Sequence, residues 1–230
     1  WGAASETANV SRSIITAMDL SAVLRQGGVF ALSHPIITAK AIPESLAAFA
    51  SKESAAISRQ AIMDRPNGYL YERSGLHIAE TGDALGAKEE NFMGKLASKI
   101  PGVAASERAY TTQLNRVRAD VFDAMVDSVS KDGKISVEDA TVIADFVNAA
   151  TGRGKLGPKG GKLENAADAL STVFFSPRFV ASRFQLLMGE QLFHGNAATR
   201  KAIAMEYGRF LAGLGVVYGL TPMAGGSVTF

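Results

Sequence analysis

Cysteine is absent from all 230 residues of the chain. Its absence excludes disulfide bonds, thiolate metal sites and cysteine nucleophiles, and it fits a protein that functions in a reducing compartment. Hydrophobic residues make up 47% of the chain, which is enough to bury a substantial core. We therefore expect the chain to fold without covalent or metal cross-links.

Histidine is also scarce, with only His34, His77 and His194 in the chain. These residues lie far apart and lack the helical spacing of a metal-binding pair such as HExxH. No serine, histidine and aspartate grouping and no pair of carboxylates stands out for catalysis. The sequence therefore predicts no catalytic residue, no metal site and no cofactor, and it argues against an enzyme.

The sequence also lacks an uninterrupted apolar segment long enough to span a membrane. The best candidate runs from Ala202 to Leu220, but Glu206 and Arg209 interrupt it, whereas a spanning helix needs about 20 predominantly apolar residues. Its glycines instead favour close packing against another helix of the chain or of a neighbouring copy; they are Gly208, Gly213, Gly215 and Gly219. Membrane insertion of this segment is the alternative.

The chain carries a formal net charge of only +2, too small to indicate a nucleic-acid-binding protein by itself. The charge is unevenly distributed, because eight basic and three acidic side chains lie between Thr151 and Lys201. We favour a solvated connector for residues 152–162, since they lack the spacing of a phosphate-binding loop. Cationic side chains contact phosphate without a fixed geometry, so weak, non-specific DNA contact is the alternative, and it would involve Arg153, Lys155, Lys159, Lys162, Arg178 and Arg183.

Helical periodicity dominates the chain and predicts an all-α array of about eight to ten helices with short connections. Residues 1–18 are predicted to be a lead-in segment, and residues 19–230 a single helical domain. The longest helix is predicted from Ser106 to about Ser130, with a buried stripe formed by Tyr110, Leu114, Val117, Val121, Met125 and Val129. Ser136 and Asn196 are predicted to be the N-caps of two later helices.

Further expectations concern individual segments and side chains. A helix that starts at Pro43 is expected to carry an apolar stripe, formed by Leu46, Phe49, Ala56, Ile57 and Ala61. Residues Tyr69 to Ala79 are expected to form an ordered loop, with a short strand as the alternative. The acids of the longest helix are expected on a solvated face; they are Glu107, Asp120, Asp123 and Asp127. Four phenylalanines are expected in the core, with base stacking as the alternative: Phe174, Phe175, Phe179 and Phe184.

The segment from Ser128 to Asp139 resembles the helix–loop–helix calcium site in outline. Asp132 and Asp139 occupy its fifth and twelfth positions. Serines occupy the first and third positions, however, where a calcium loop relies on carboxylates. We therefore favour an ordinary helix–turn–helix with a capped second helix, and calcium binding is the alternative.

Four stretches of the chain carry a family resemblance, and in order they read MDLSAVLRQGGVFALSHP, KIPGVAASERAYTTQLNRVRADVFDAMV, FVNAATGRGKLG and LSTVFFSPRFVASRFQLL. Together they resemble the large polyvalent protein-associated helical domain, which occurs in very long bacteriophage proteins and in some conjugative elements. The resemblance extends from about Met18 to beyond Gly208. One departure is the segment PKGGK, which adds residues between Leu156 and the following helix.

The resemblance implies a non-catalytic structural module of a bacteriophage internal or ejection protein that is packaged and delivered with the genome. It implies a location in the virion interior and, after delivery, in the host cell. The implied partners are other virion proteins, other domains of the same much larger chain, or further copies. A weakly DNA-associating module and a membrane-active segment during delivery are the alternatives. By resemblance alone, the structural anchors are Arg118, Asp120, Asn148, Gly152, Arg153, Gly154, Pro177, Arg178 and Arg183.

Overall fold

The computed structural model describes residues 21–80, 101–130, 134–157 and 177–224. The described residues form an all-α array without β-strands, as the sequence predicted. The predicted lead-in, residues 1–18, lies outside them. The helices are, in chain order, α1 (Ser21–Ser33), α2 (Pro35–Lys40), α3 (Ile42–Ala50), α4 (Lys52–Met63), α5 (Gly68–Ser74), α6 (Pro101–Val129), α7 (Val137–Ala150), α8 (Pro177–Met188) and α9 (Ala197–Leu220), with 3-10 helices at Glu190–Phe193 and Pro222–Ala224.

Helix α6 is the longest element and supplies the largest part of the core. Its predicted stripe is confirmed from Leu114 onward, since Leu114, Val117, Val121, Met125 and Val129 are all buried, whereas Tyr110 is only half-buried. The predicted start at Ser106 is wrong, because the helix already includes Pro101. A proline in the first turn lacks only an N–H that would have no helical partner there, so it does not stop the helix.

Helices α3 and α4 present a face to the core that differs from the predicted one. The predicted single helix is divided at Ser51, whose backbone is extended and whose hydroxyl accepts a hydrogen bond from Ser54 N at 3.2 Å. The larger apolar side chains are exposed, at 66%, 50% and 68% for Leu46, Phe49 and Ile57. Apart from Ile62 near the end of α4, the buried positions are instead small, which allows α3 and α4 to pack closely against α6: Ser45, Ala48, Ala55 and Ser58.

Helix α5 corrects the predicted loop at Tyr69 to Ala79, because residues up to Ser74 are helical and only the rest, after a left-handed turn at Gly75, is irregular. Tyr71 is buried and donates a hydrogen bond to Asp123 of α6 at 2.9 Å. Burial and the Asp123 carboxylate raise the pKa of Tyr71. This long-range bond explains the helix, since a tyrosine-rich segment without obvious periodicity gains its order from tertiary packing.

Two acids of α6 are also not on the predicted solvated face. Arg65, at the end of α4, forms ion pairs with Asp120 at 2.8 Å and with Asp123 at 3.0 Å. Burial of the guanidinium would lower the pKa of Arg65, but Asp120, Tyr71 and Asp123 outweigh it and raise the pKa. Asp120 additionally accepts from Arg116 one turn away at 3.0 Å. These carboxylates therefore hold α4 and α5 against α6.

Helix α9 packs on α1 through one of its glycines. A Cβ atom added to Gly213 would lie 2.3 Å from the Leu32 carbonyl oxygen, so the two backbones are in direct contact there. The other three glycines of the predicted packing face have open space around them: Gly208, Gly215 and Gly219. The predicted close helix packing is thus present at one glycine within the described chain.

Candidate functional site

A polar cleft of about 880 Å³ follows the exposed side of helix α7. Its floor is a single stripe of α7 that includes Glu138, Thr141, Asp145 and Asn148, which share a face because they are spaced by three or four residues. One wall comes from the end of α5, and the opposite wall comes from residues 153–157, from α8 and from the 3-10 helix after it. From Glu138 to Asn148 the floor is about 15 Å long, at about 1.5 Å per residue.

Hydrogen bonds join α6, α7 and the segment that follows α5 beside the cleft. Arg118 of α6 is fully buried and donates to Thr151 Oγ1 at 2.8 Å and to the His77 carbonyl at 3.3 Å. Asn148 donates to the Gly75 carbonyl at 2.9 Å and accepts from His77 N at 3.0 Å. Arg118 and Asn148 come from two of the stretches that carry the family resemblance. Both act as structural anchors here.

A close backbone crossing fixes α8 beside the segment that follows α7. Gly154 N donates to the Arg178 carbonyl at 3.0 Å, and a Cβ on Gly154 would lie only 2.2 Å from Ser182 N. Only glycine permits this approach. Gln185 extends the contact, because its amide exchanges two hydrogen bonds with the backbone of Lys155, at 3.1 and 3.2 Å. The ATGRG and SPRF motifs therefore meet in space.

Basic side chains line the end of the cleft at the C-terminus of α7, which we call the basic end. Arg153 and Arg178 line it, and Lys155 lies next to them. The Lys155 ammonium group is 2.5 Å from the Asp145 carboxylate on the cleft floor. Three of the six predicted DNA-contacting residues thus share one cleft, but acidic groups line the same cleft.

Among the other predicted DNA-contacting residues, Arg183 does not line this cleft. Arg183 lies over the Phe179 ring, 4.6 Å from its centroid, and burial lowers the pKa of its guanidinium. Lys159 and Lys162 lie outside the described residues, as do Phe174 and Phe175. Phe184 is 63% exposed, so its predicted core position is wrong. A cation stacked on an aromatic ring is a common way to bury an arginine partly.

The N-terminus of α7 forms the opposite end of the cleft, which we call the acidic end. Ser136 caps α7 as predicted, with Asp139 N donating to its hydroxyl at 3.0 Å. Asp139 then accepts from Asn196 N at 2.8 Å and from Thr199 Oγ1 at 2.9 Å. Asn196 in turn caps α9, as predicted. The first turns of α7 and α9 are therefore joined through one carboxylate.

The Asp139 carboxylate also occupies the twelfth position of the calcium-like segment. Burial alone would raise the pKa of Asp139, but hydrogen bonds from Ser136, Asn196 and Thr199 outweigh it and hold the pKa below its usual range. Both oxygens of this side chain already accept protein hydrogen bonds. In the described part of the chain no group of three or more acidic or histidine side chains could hold a metal ion.

The acidic end is lined by Glu138, Glu190, Gln191 and His194. Sequence reasoning did not single out Glu138, Glu190 or Gln191, because these residues lie on separate elements and match no motif. Only the antiparallel course of α8 along α7 brings the 3-10 helix beside Glu138. No local signal in the sequence marks that course.

Elsewhere, His34 is half-buried at the junction of α1 and α2, with its Nε2 atom 2.5 Å from the Glu206 carboxylate of α9. Glu206 is 3% exposed and also pairs with Arg209.

Among the helices that the structure describes, none is long and apolar enough to cross a membrane. No family model, no curated protein and no solved structure matches the chain. Its function is therefore inferred from its residues and their geometry.

Proposed function

We propose that the chain is a non-catalytic interaction module of a large bacteriophage internal virion protein, packaged and delivered with the genome. The observation that carries this proposal is the way the resembling motifs meet. Arg118 and Asn148 join helices through hydrogen bonds of their side chains. Gly154 allows two backbones to approach closely because it has no side chain. Residues that are occupied in this way support a scaffold, whose function lies in the surface that it presents.

The partners of such a scaffold are other virion proteins or other domains of the same parent chain, and further copies are a third possibility. The apolar surface of the domain supports a partner. Large side chains are exposed on α8 and beyond it, at 63%, 82%, 76% and 75% for Phe184, Leu187, Met188 and Phe193. Exposed apolar groups of this size, when they lie on neighbouring turns, are typical of interaction surfaces.

The location of the protein tests the proposal. Antibodies against the chain are applied to purified particles of the phage or mobile element that encodes it, before and after the capsid is opened. We expect the antigen to sediment with the particles and to be digested by protease only after opening. During infection it should enter the host-cell fraction with the genome. A protein that is made in infected cells but is absent from particles would contradict the proposal.

DNA association is the second candidate, and the grouping of Arg153, Lys155 and Arg178 at the basic end favours it. Glu138, Asp145 and Glu190 line the same cleft and repel phosphate. Any DNA contact at the cleft is therefore expected to be weak and non-specific. A membrane-active role during delivery is a third candidate, and the exposed apolar half of α9 is the surface available for it.

A further inference from the structure

Gln191 places an unsatisfied buried acceptor at the acidic end of the cleft. The residue is 5% exposed, and its amide Oε1 has no hydrogen-bond partner in the part of the chain that the structure describes. Buried amide oxygens are usually paired, because an unpaired one loses its hydrogen bonds to water without replacement. Since Gln191 lines the cleft, a rotation about its soft terminal torsion presents this oxygen to an occupant. A donor from outside would satisfy it.

Two carboxylates line the same end of the cleft. Glu138 and Glu190 are both exposed to solvent, and within the described residues neither forms an ion pair or a side-chain hydrogen bond. Asp139, which follows Glu138, accepts a hydrogen bond from Asn196 N at 2.8 Å. This bond keeps the first turn of α7 beside the 3-10 helix that carries Glu190 and Gln191. The acidic end is therefore built on fixed elements and has acceptors to spare.

A guanidinium group matches these acceptors. Two carboxylates and an amide oxygen favour a positive charge with several N–H donors, and a guanidinium carries five such donors in one plane. A metal ion fits less well, because no group of three acidic or histidine side chains in the described residues is placed to hold one. A phosphate is repelled by the carboxylates. The chemistry of the acidic end thus selects a cation of the arginine type.

Exposed apolar side chains on both sides of Glu190 and Gln191 indicate where this cation comes from. Leu187 and Met188 precede them and Phe193 follows, with exposed fractions of 82%, 76% and 75%. A free small cation would leave these side chains in water. An arginine on a protein surface has neighbours that can cover them, and arginine with apolar neighbours is common at the centre of protein interfaces.

A second copy of the chain supplies this combination poorly. Of the arginine side chains that the structure describes, only Arg73 and Arg200 are both exposed and outside an ion pair or hydrogen bond. One helical turn away from these two residues, the only large apolar side chain that is exposed is Tyr69. One tyrosine is not enough to cover three apolar side chains, so these features favour a different protein.

We propose that the acidic end of the cleft is a receptor for one arginine side chain of a different protein, flanked there by apolar residues of that protein. The guanidinium lies between Glu138 and Glu190 and donates to Gln191 Oε1. The basic end has no part in the site, because Arg153 and Arg178 have interactions of their own. The site rests on the proposed role as an interaction module, and it supplies the chemistry of the partner.

Three pools of labelled pentapeptides test the site on the complete chain. The first pool has arginine at the centre and random leucine, methionine or phenylalanine at the other positions. The second pool replaces arginine by citrulline, an uncharged analogue of nearly the same shape. The third pool keeps arginine but has glycine or serine at the other positions. By fluorescence polarisation, we expect the first pool to bind about tenfold or more tightly than either of the others.

The outcomes separate the charge from the source. Equal binding of the arginine and citrulline pools would overturn the proposal, as would no binding of the first pool up to about 1 mM. Methylguanidinium is added as a competitor, and we expect it to displace the first pool only at concentrations far above the dissociation constant of that pool. Displacement at a similar concentration, or equal binding of the first and third pools, would assign the pocket to a free small cation and overturn the protein source.

Two variants locate the binding. Gln191→Met removes the acceptor at similar volume, and it should weaken the first pool about five- to tenfold without changing the citrulline pool. The melting temperature should be unchanged or higher, because an unsatisfied group has been removed. Glu190→Gln should also weaken the first pool, whereas Glu72→Gln, an exposed position on α5 outside the cleft lining, should not. If both cleft variants keep the wild-type preference for arginine over citrulline, the peptide binds elsewhere and the proposal is wrong.

Sedimentation velocity of the chain alone tests the second copy. We expect Glu190→Gln to leave the sedimentation coefficient unchanged. Self-association that this substitution abolishes would assign the pocket to an arginine of another copy and overturn the proposal. Failure of the peptide experiments with a particle-associated protein would remove this site only. Absence from particles would instead remove the virion role and leave the arginine pocket standing.

Discussion

Arg118 illustrates what single residues contribute to this molecule. Its guanidinium is completely buried and is surrounded by the Thr151 hydroxyl and by backbone carbonyls, at distances of 2.8 to 3.5 Å. An arginine is rarely buried unless its donors are satisfied, since five N–H groups must leave water. Here they join the end of α7 and the segment after α5 to α6. His77, whose carbonyl accepts from Arg118, also lines the cleft, so the anchor and the site are physically linked.

The Asp139 carboxylate carries the first prediction at this scale. Because its folded pKa is lowered, its stabilising effect is present above its unfolded pKa of about 3.9 and is lost as the pH falls through the lower folded value. Asp139→Asn should therefore lower the free energy of unfolding by about 2–3 kcal/mol at pH 7. The difference from the wild type should shrink below about pH 4.

Urea denaturation at pH 7 and at a series of acidic pH values measures this difference. Asp127→Asn is the control, because Asp127 is an exposed carboxylate on α6 and its replacement should have little effect at any pH. If the Asp139 variant is as stable as the wild type at pH 7, the link between the first turns of α7 and α9 contributes nothing.

Single elements differ in how well their sequence predicts them. Helices α6, α7 and α9 were predicted because the buried stripe of α6 and the N-caps of α7 and α9 are local patterns. Ser136 and Asn196, for example, act on N–H groups three residues away. Helices α3 and α4 were assigned the wrong face, since Leu46 and Ile57 form an apolar stripe that is exposed. Mostly small residues face α6, because α3 and α4 lie close to it. Hydrophobicity alone does not indicate the distance between two helices.

Helix α9 allows a prediction in which chemically identical substitutions have opposite signs. Gly213→Ala should destabilise the protein by about 1–3 kcal/mol, because the new methyl group would overlap the Leu32 carbonyl and push α9 away from α1. Gly215→Ala should stabilise it by up to about 1 kcal/mol, because the space around Gly215 is open and alanine is the better helix former. Chemical denaturation of the two variants compares them directly. Equal effects of the same sign would show that α9 does not touch α1 through Gly213.

At the scale of the whole molecule, the fold class was predictable and the cleft was not. Periodicity and turn residues predict helices wherever they occur, so the all-α architecture follows from local pattern. The cleft combines Glu138 and Asp145 of α7 with Arg178 of α8 and Gln191 of the following 3-10 helix, and these last two elements are distant from α7 in sequence. Their proximity depends on the course of α8 along α7, which is fixed by the Gly154 crossing. From the sequence alone, a glycine in a basic segment indicates a flexible loop, because the segment that packs against it is not known.

The distribution of charge over the molecule yields the last prediction, which concerns DNA. With a net charge of only +2, and with acids beside the basic end, any affinity for duplex DNA should be non-specific and on the order of 10⁻⁴ to 10⁻⁶ M. A variant with glutamine at four basic positions should show a weaker dependence of binding on salt concentration, because fewer phosphate contacts release fewer counterions when the protein binds. The four positions are Arg153, Lys155, Lys159 and Lys162.

The control replaces the exposed lysines Lys40 and Lys52, which lie on α2 and α4, away from the cleft, and the change in slope is compared per charge removed. Electrophoretic mobility shifts at several salt concentrations measure the slopes for the two variants and the wild type. If the control changes the slope as much as the fourfold variant does, DNA binding depends on the total charge of the protein and is not localised to one site on its surface. If neither changes it, residues 152–162 are a connector that does not contact DNA.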